Sequence, residues 1–178
     1  GAPWTGIRVS TGSVDIAQTL GLIVGDSVVV SKAKIGSVSD ETQLAWPNII
    51  VTKIPARASV PSFHLGTATE LEKLSTNPNA EQWEGCLVKV SGAMHVVRTA
   101  ASGGLNPNTF VLVDDAGCAS MMTGACDSLL VDGNTLFSPS FPLPVLGRKV
   151  YMVRGVYGQH VTYTMQLRDS SDILAAGV

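Results

Sequence analysis

The sequence contains one β-strand pattern twice, and this internal repeat limits the possible folds more than any other feature. Each copy has a glycine, then a strand rich in valine and other apolar residues, and then a Gln-Leu pair. A short alternating strand precedes each glycine. Two copies of one pattern in 178 residues favour two small β domains over a single large one. The matched segments are residues 24–30 and 146–152, the pairs that begin at Gln43 and Gln166, and residues 6–9 and 110–113.

The second copy has one more strand, at residues 84–90, for which the first copy has no counterpart because the chain starts at Gly1. A β domain without one of its strands exposes an open sheet edge and part of its core. We therefore expect the first domain to tolerate the gap, to be a fragment, or to borrow a strand from another chain.

β-Branched residues and short alternating runs between Gly, Pro, Asn and Asp predict strands along most of the chain. The predicted fold class is all-β, with two OB-fold-like five-stranded barrels in tandem, the first lacking its opening strand, and one short linker helix. The predicted strands are 6–10, 27–35, 42–44, 49–54, 86–97, 109–114, 150–157 and 162–168. The predicted regions are an incomplete domain at 1–54, a linker at 55–83 and a complete domain at 84–178.

Helical character is confined to the linker, at residues 68–74, where Thr67 or Thr69 is suited to cap the first turn. We expect Pro78 to end this helix and a second turn to follow at 80–83. The rest of the linker contains prolines without clear periodicity, which is typical of a semi-rigid connector.

A long loop is predicted at residues 114–145 of the second copy. It ends in the proline-rich segment 138–144, which cannot join a central strand because proline lacks an amide donor. Long loops in compact domains usually bind or act, so residues 116–144 are the expected contact surface of this copy.

The composition excludes several classes of protein. Hydrophobic residues make up 45% and charged residues 15% of the chain, which indicates a folded protein rather than a disordered one. The net charge of −2, with 12 Lys and Arg spread along the chain, argues against a general nucleic-acid binder. No apolar run is long enough to span a bilayer, and residues 1–4 lack the features of a signal peptide.

The three cysteines have different expected roles. Cys118 and Cys126 lie in a loop of small residues that can close on itself, so they are the candidates for a disulfide, which fits an exported protein. Cys86 shares a strand face with Val88 and Val90, which predicts a buried thiol. No spacing typical of a zinc site is present, and we expect no metal or cofactor.

No catalytic motif is found, and we expect that the protein is not an enzyme. His64, His95 and His160 each lack an acidic or thiol partner at a useful spacing, and no Gly-x-Ser-x-Gly motif is present. Four aspartates could either bind a calcium ion or cap turns through their side chains, and their spacing favours the capping of turns. Those aspartates are Asp114, Asp115, Asp127 and Asp132.

Aromatic residues, at 6%, are too few to make a base-stacking surface the favoured interpretation. The rings that would form such a surface are Phe110, Tyr151, Tyr157 and Tyr163. Trp4, Trp46 and Trp83 are expected to anchor domain packing or a contact between subunits.

Four segments of the second copy together resemble a known group of domains. The segments are Glu-Gly-Cys-Leu-Val-Lys-Val at 84–90, Val-Leu-Val-Asp-Asp at 111–115, Gly-Arg-Lys-Val at 147–150 and Arg-Asp-Ser-Ser-Asp-Ile at 168–173. In this order they resemble the OB-fold domains that occur, often in tandem, on secreted bacterial nucleases and other exported proteins. Residues 84–174 match all four segments, whereas residues 4–54 match the middle two and a weakened last one. The resemblance implies five-stranded barrels that bind ligands or organise neighbouring domains, without nuclease chemistry of their own.

The favoured functional prediction is a non-catalytic extracellular structural module that associates with copies of itself by β-strand complementation, forming a filament or other polymer. The donor strand is expected at residues 1–4 or 174–178. The alternative is an accessory module of a secreted enzyme, such as a nuclease, that binds nucleic acid or a glycan. The expected assembly contacts are Gly1, Ala2, Pro3, Trp4, Phe141, Leu174 and Val178.

Overall fold

Strands form nearly all of the regular structure in the computed structural model, which confirms the all-β prediction. The structure describes residues 3, 5–12, 15–38, 40–45, 49–59, 62–67, 70–71, 78–100, 108–114, 128–133, 144–160 and 162–176. The first strands are β1 (Arg8–Ser10), β2 (Asp26–Ser31), β3 (Lys34–Val38), β4 (Glu41–Ala45), β5 (Ile50–Arg57) and β6 (His64–Gly66). The remaining strands are β7 (Leu87–Thr99), β8 (Thr109–Asp114), β9 (Ser128–Asp132), β10 (Lys149–His160), β11 (Thr162–Gln166) and β12 (Ile173–Ala175). Two four-residue helices are described, α1 (Ile16–Thr19) and α2 (Pro78–Glu81).

Five strands of the second copy close into a barrel, as expected for an OB-like domain. The strand order is β7-β8-β9-β11-β10, and β10 pairs again with β7 to complete the ring. All neighbours are antiparallel except β9 and β11, which run parallel. β6 extends the sheet beside β7, and β12 lies along the first half of β10.

The barrel closes because its long strands bend and cross at small residues and bulges. β7 and β10 each contain a register shift, which increases local twist. Gly155 lies where β10 passes from its pairing with β12 to its pairing with β11. A Cβ at Gly155 would lie 2.2 Å from the carbonyl oxygen of Gln166, so no larger residue fits between these two backbones.

The barrel interior is a continuous apolar core. Alternate residues of each strand face inward, including Phe110 and Leu112 of β8 and Leu129 and Val131 of β9. Tyr157 and Tyr163 stack inside, with ring centroids 5.5 Å apart. This alternation is the period-two pattern that predicts the strands from the sequence.

Strands β1 to β5 and the segments that connect them form an open structure, here called the half-barrel. β4 pairs with β1 in parallel and with β3 in antiparallel orientation, while β2 pairs with β5. The single strand expected at 27–35 is two strands, because Lys32 has a φ of +56° and turns the chain between β2 and β3.

The half-barrel repeats the later part of the barrel. The parallel pair β1 and β4 corresponds to β9 and β11, the β3–β4 hairpin to β10 and β11, and β2 with β5 to β10 with β12. Gly25 and Gly147, which the repeat aligns, both have positive φ, at +94° and +77°.

The first strand of the repeat was therefore aligned wrongly from the sequence. Residues 6–9 correspond to β9 and not to residues 110–113 of β8, because β1, like β9, is the parallel neighbour of the hairpin strand. The following connections then agree in length, 11–25 in the half-barrel and 133–148 in the barrel. Within the described residues, the half-barrel has no counterpart of β7 or of β8.

Three strands were missed in the sequence. The expected long loop at 114–145 contains β9, the connector contains β6, and β12 follows a 3-10 turn at Ser170–Asp172. β6 and β12 have three residues each, too short for a visible alternation.

The linker helix is only partly described. Thr67 caps a turn, because its Oγ1 accepts a hydrogen bond of 3.1 Å from the amide of Glu70. α2 begins at Pro78, close to the second turn expected at 80–83. Residues 68, 69 and 72–74 of the expected helix lie outside the described residues.

Candidate assembly surface

The half-barrel exposes the kind of side chain that the barrel buries. Ile35 is 78% and Val24 72% exposed, and none of the apolar side chains described in the half-barrel is buried. Its two buried residues among those described are Glu41 and Gln43. Large exposed apolar areas on one part of a protein usually indicate a contact surface. The exposed large apolar residues of the half-barrel are Ile7, Val9, Ile23, Val24, Val28, Val29, Ile35, Val38 and Ile50.

Two strand edges of the half-barrel are open in the part of the chain that the structure describes. β1 pairs there with β4 alone, and β2 and β3 pair with β5 and β4 respectively. The corresponding barrel strands each have another neighbour, since β9 pairs with β8 and β10 pairs with β7. Open edges carry backbone amide and carbonyl groups that can pair with another strand.

The barrel indicates which two strands the described part of the half-barrel lacks. There, β7 and β8 are antiparallel partners of each other, and they lie between β10 and β9. By analogy, two strands would complete the half-barrel, one antiparallel to β1 and the other antiparallel to β2 and β3.

The half-barrel contacts the barrel through two glycines and a set of polar groups. A Cβ on Gly6 would lie 2.1 Å from the carbonyl carbon of Gly85, so the two backbones touch. Gly85 also has a φ of +75°, which favours glycine. The amide of Thr42 donates across this contact to Oε1 of Glu84 at 3.1 Å. Within the half-barrel, Arg8 Nη1 lies 2.7 Å from Oε2 of Glu41.

Two of the acidic groups in this contact have unusual surroundings. Burial, together with the nearby carboxylates of Glu81 and Glu41, raises the pKa of Glu84 to about 7. The hydroxyl of Tyr163 donates to Oε2 of Glu81.

The linker is held against the barrel by stacked rings. His64 of β6 stacks on Trp83 with ring centroids 3.4 Å apart. Oε1 of Glu70 accepts from Nε1 of Trp83 at 2.7 Å and lies 3.0 Å from Nε2 of His64. Trp83 belongs to the barrel core, so it anchors the packing of the linker on this domain, as expected.

A second anchor is built around a buried carboxylate. Asp172 is fully buried and contacts Arg154 at 2.9 Å and Arg168 at 2.7 Å. Both guanidinium groups also face the ring of Phe63, at 5.3 and 5.1 Å from its centroid. Although burial opposes it, hydrogen bonds from the side chain and amide of Arg168 and from Arg154 lower the pKa of Asp172.

The expected assembly contacts are only partly described. Pro3 is exposed, and Leu174 lies 56% exposed on β12, whose backbone pairs with β10. Cys86 is buried, as predicted. The expected disulfide between Cys118 and Cys126 lies outside the described residues, and so do Gly1, Ala2, Trp4, Phe141 and Val178.

β8 is buried on both of its faces. Val111 and Val113 of β8 are buried although they lie outside the core cluster, so the second face of β8 is also shielded from water. Of the four rings named for stacking, Phe110, Tyr157 and Tyr163 are inside the barrel.

The described residues offer neither a metal site nor a membrane-spanning helix. No group of three or more His, Cys, Asp or Glu side chains there is arranged to hold a metal ion. Asp114 and Asp132 are among these residues, whereas Asp115 and Asp127 are not. No described helix is long and apolar enough to cross a bilayer.

Fold and site define an all-β protein with a closed five-stranded OB-like barrel and an open half-barrel beside it. No family model, curated protein or solved structure matches this chain.

The repeat in the sequence indicates that the first copy lacks a strand, but it does not identify the residues that form the open surface. The repeat pointed to the gap, whereas the open edges of β1 and β3 and the contact between Gly6 and Gly85 depend on strand pairing. The sequence signal that would have aligned β1 with β9 was the length of the following connection.

Proposed function

We propose that this protein is a non-catalytic extracellular assembly module that polymerises by β-strand complementation, with the half-barrel of one copy receiving a strand from another. The observation that carries the proposal is the two-strand gap between the open edges of β1 and β2–β3, beside a closed barrel of the same pattern. The candidate disulfide pair and the low lysine content agree with an exported protein.

The exposed residues supply a driving force for complementation. Fully burying one Val or Ile side chain contributes roughly 1.5–3 kcal/mol, and the half-barrel exposes nine large apolar side chains. Association costs about 4–15 kcal/mol in lost freedom of motion, so burial of several of these side chains is enough to offset it. Pairing of the open edges adds backbone hydrogen bonds and fixes the register.

Residues 1–4 are the favoured donor for one of the two missing strand positions. The other candidate is engaged in its own barrel, because β12 pairs with β10 and Ile173 packs against the core. The amide of Ala176 also donates to the carbonyl of Lys149 at 2.9 Å. Donation from one end to the half-barrel of the next copy is a head-to-tail contact, which produces a filament if the ring does not close.

The test is electron microscopy and light scattering of the purified protein over a concentration series. We expect ordered polymers from the wild type, and a shift to monomers in Val9→Lys and Ile35→Lys, since each places a charge on a surface that must become buried. Leu65→Lys is the matched control, because Leu65 is 72% exposed on β6, outside the half-barrel, and should leave assembly unchanged.

Deletion then identifies the donor. Loss of polymers after removal of residues 1–4 but not after removal of 174–178 supports the favoured donor. A wild-type protein that stays monomeric at high concentration rules out the proposal. Binding of single-stranded DNA or glycans to that monomer, measured against salt, would then support the accessory-module alternative.

A further inference from the structure

Three carboxylates gather where the half-barrel meets the barrel. Glu41, on β4, is 5% exposed, and Glu84, between α2 and β7, is 9% exposed. The third carboxylate belongs to Glu81, the last residue of α2. Oε1 of Glu84 accepts a hydrogen bond of 3.1 Å from the amide of Thr42, which follows Glu41 in the chain. Glu41 in turn lies against the barrel, since a Cβ at Gly158 would be 2.7 Å from its Oε1.

Few groups are present to balance these charges. Arg8 of β1 contacts Glu41 at 2.7 Å, and the Tyr163 hydroxyl of β11 donates to Glu81. Asp40, in the turn before β4, is close enough to Tyr163 to add further negative potential. The contact between Gly6 and Gly85 leaves no room for a side chain between the two backbones, so a small separation of the modules breaks it.

We propose that this contact is a proton-sensitive lock, which holds the half-barrel against the barrel while Glu84 is protonated and loosens when Glu84 ionises beside Glu41 and Glu81. The lock acts within one chain and does not depend on polymerisation. It would set the angle at which the half-barrel presents its open edges.

The direction of the pH effect follows from the burial of Glu84. Its pKa is raised from 4.5 to about 7 in the docked chain, so the docked state binds a proton more tightly than the undocked state. The stabilisation from this proton is present at acidic pH and is lost as the pH rises through 7. If undocking returns Glu84 to its ordinary pKa, the docking constant falls by up to about tenfold between pH 6 and pH 8.

Hydrogen exchange at the Thr42 amide measures docking directly, because that amide donates across the contact to Glu84. The experiment uses the full chain at a concentration where light scattering shows one species, at pH 6 and pH 8. Rates are converted to protection factors, which removes the intrinsic pH dependence of exchange. We expect protection of Thr42 to fall by up to about tenfold at the higher pH, with protection in β8 unchanged.

Glu84→Gln tests the role of the proton, since glutamine keeps the acceptor for Thr42 but cannot ionise. We expect its protection at Thr42 to be the same at both pH values. Asp15→Asn is the matched control in the half-barrel, because Asp15 is exposed and asparagine caps α1 equally well. It removes one negative charge and should keep the wild-type pH dependence.

Arg8→Gln gives a second, independent readout. Loss of the cation beside Glu41 leaves the negative charge of that neighbour unbalanced, so Glu84 should keep its proton to higher pH and the loosening should move to higher pH. Equal pH dependence in wild type and Glu84→Gln, or protection that rises with pH, overturns the lock. If the protein is monomeric and shows the expected pH response, the lock is supported and only the polymerisation proposal is ruled out.

Discussion

At the residue scale, the pKa values of two buried carboxyl groups are shifted in opposite directions because the groups have different partners. Asp172 has two arginine partners and a backbone amide, so its ionised form is stabilised inside the protein. Glu84 has one backbone donor and two neighbouring carboxylates, so its neutral form is favoured. Burial acts on both carboxyl groups in the same direction, and the partners decide the outcome.

Asp172→Asn is expected to destabilise the barrel by about 3 kcal/mol at pH 7, because two guanidinium groups lose their shared carboxylate. The lowered pKa of Asp172 means that this contribution is present above its ordinary value of 3.8 and disappears as the pH falls through the lower, folded value. Urea unfolding at pH 7 and at pH 3 measures the difference, which should shrink at the lower pH.

Asp169→Asn is the control for this measurement. Asp169 caps the amide of Ser171 at 2.8 Å from an exposed position, and asparagine can replace it in that role. Equal destabilisation by the two substitutions would show that the paired charge at Asp172 contributes nothing specific.

At the scale of elements, strand crossings and turns distinguish the two modules. β10 is one continuous strand of 12 residues. It pairs with β7 along one edge and with β12 and then β11 along the other. Its counterpart in the half-barrel is divided into β2 and β3 at Lys32. The continuous strand closes a barrel, whereas the divided one joins two separate small sheets.

Gly155→Ala should force β10 away from β11 and destabilise the barrel by about 1–3 kcal/mol, because the new methyl group would overlap the backbone of Gln166. Gly36→Ala is the matched control, since Gly36 is also in a strand but has nothing within 4 Å of the position that its new methyl group would take. Urea unfolding followed by tryptophan fluorescence, to which the buried Trp83 contributes, provides the measurement, together with mass spectrometry of the folded species. Equal unfolding midpoints for the two variants would contradict the crossing role of Gly155.

At the scale of the whole molecule, the closed barrel is a template for the missing part of the half-barrel. An extra copy of residues 84–114, joined through a flexible linker before Gly1, carries the counterparts of β7 and β8. We expect it to fill the gap, prevent polymerisation and raise the melting temperature. The measurements are light scattering and calorimetry.

The control for this fusion carries lysine at the positions in the extra copy that match Phe110 and Leu112, the inward residues of β8. It should neither stabilise the chain nor block assembly. Polymers that persist with the apolar fusion would show that assembly uses another surface.

The sequence by itself determined the all-β class, the repeat and several strands, because alternation of apolar residues depends only on local geometry. β8 was predicted with its observed bounds, and Cys86 was predicted as buried. The tertiary structure alone decided which strand is the neighbour of which. Parallel pairing of β1 with β4, the two-strand gap and the meeting of Glu41, Glu81 and Glu84 all join residues that are distant in sequence. Period-two patterns state which face of a strand is buried, but they carry no information about its partner, and the contact of Gly6 with Gly85 has no pattern at all.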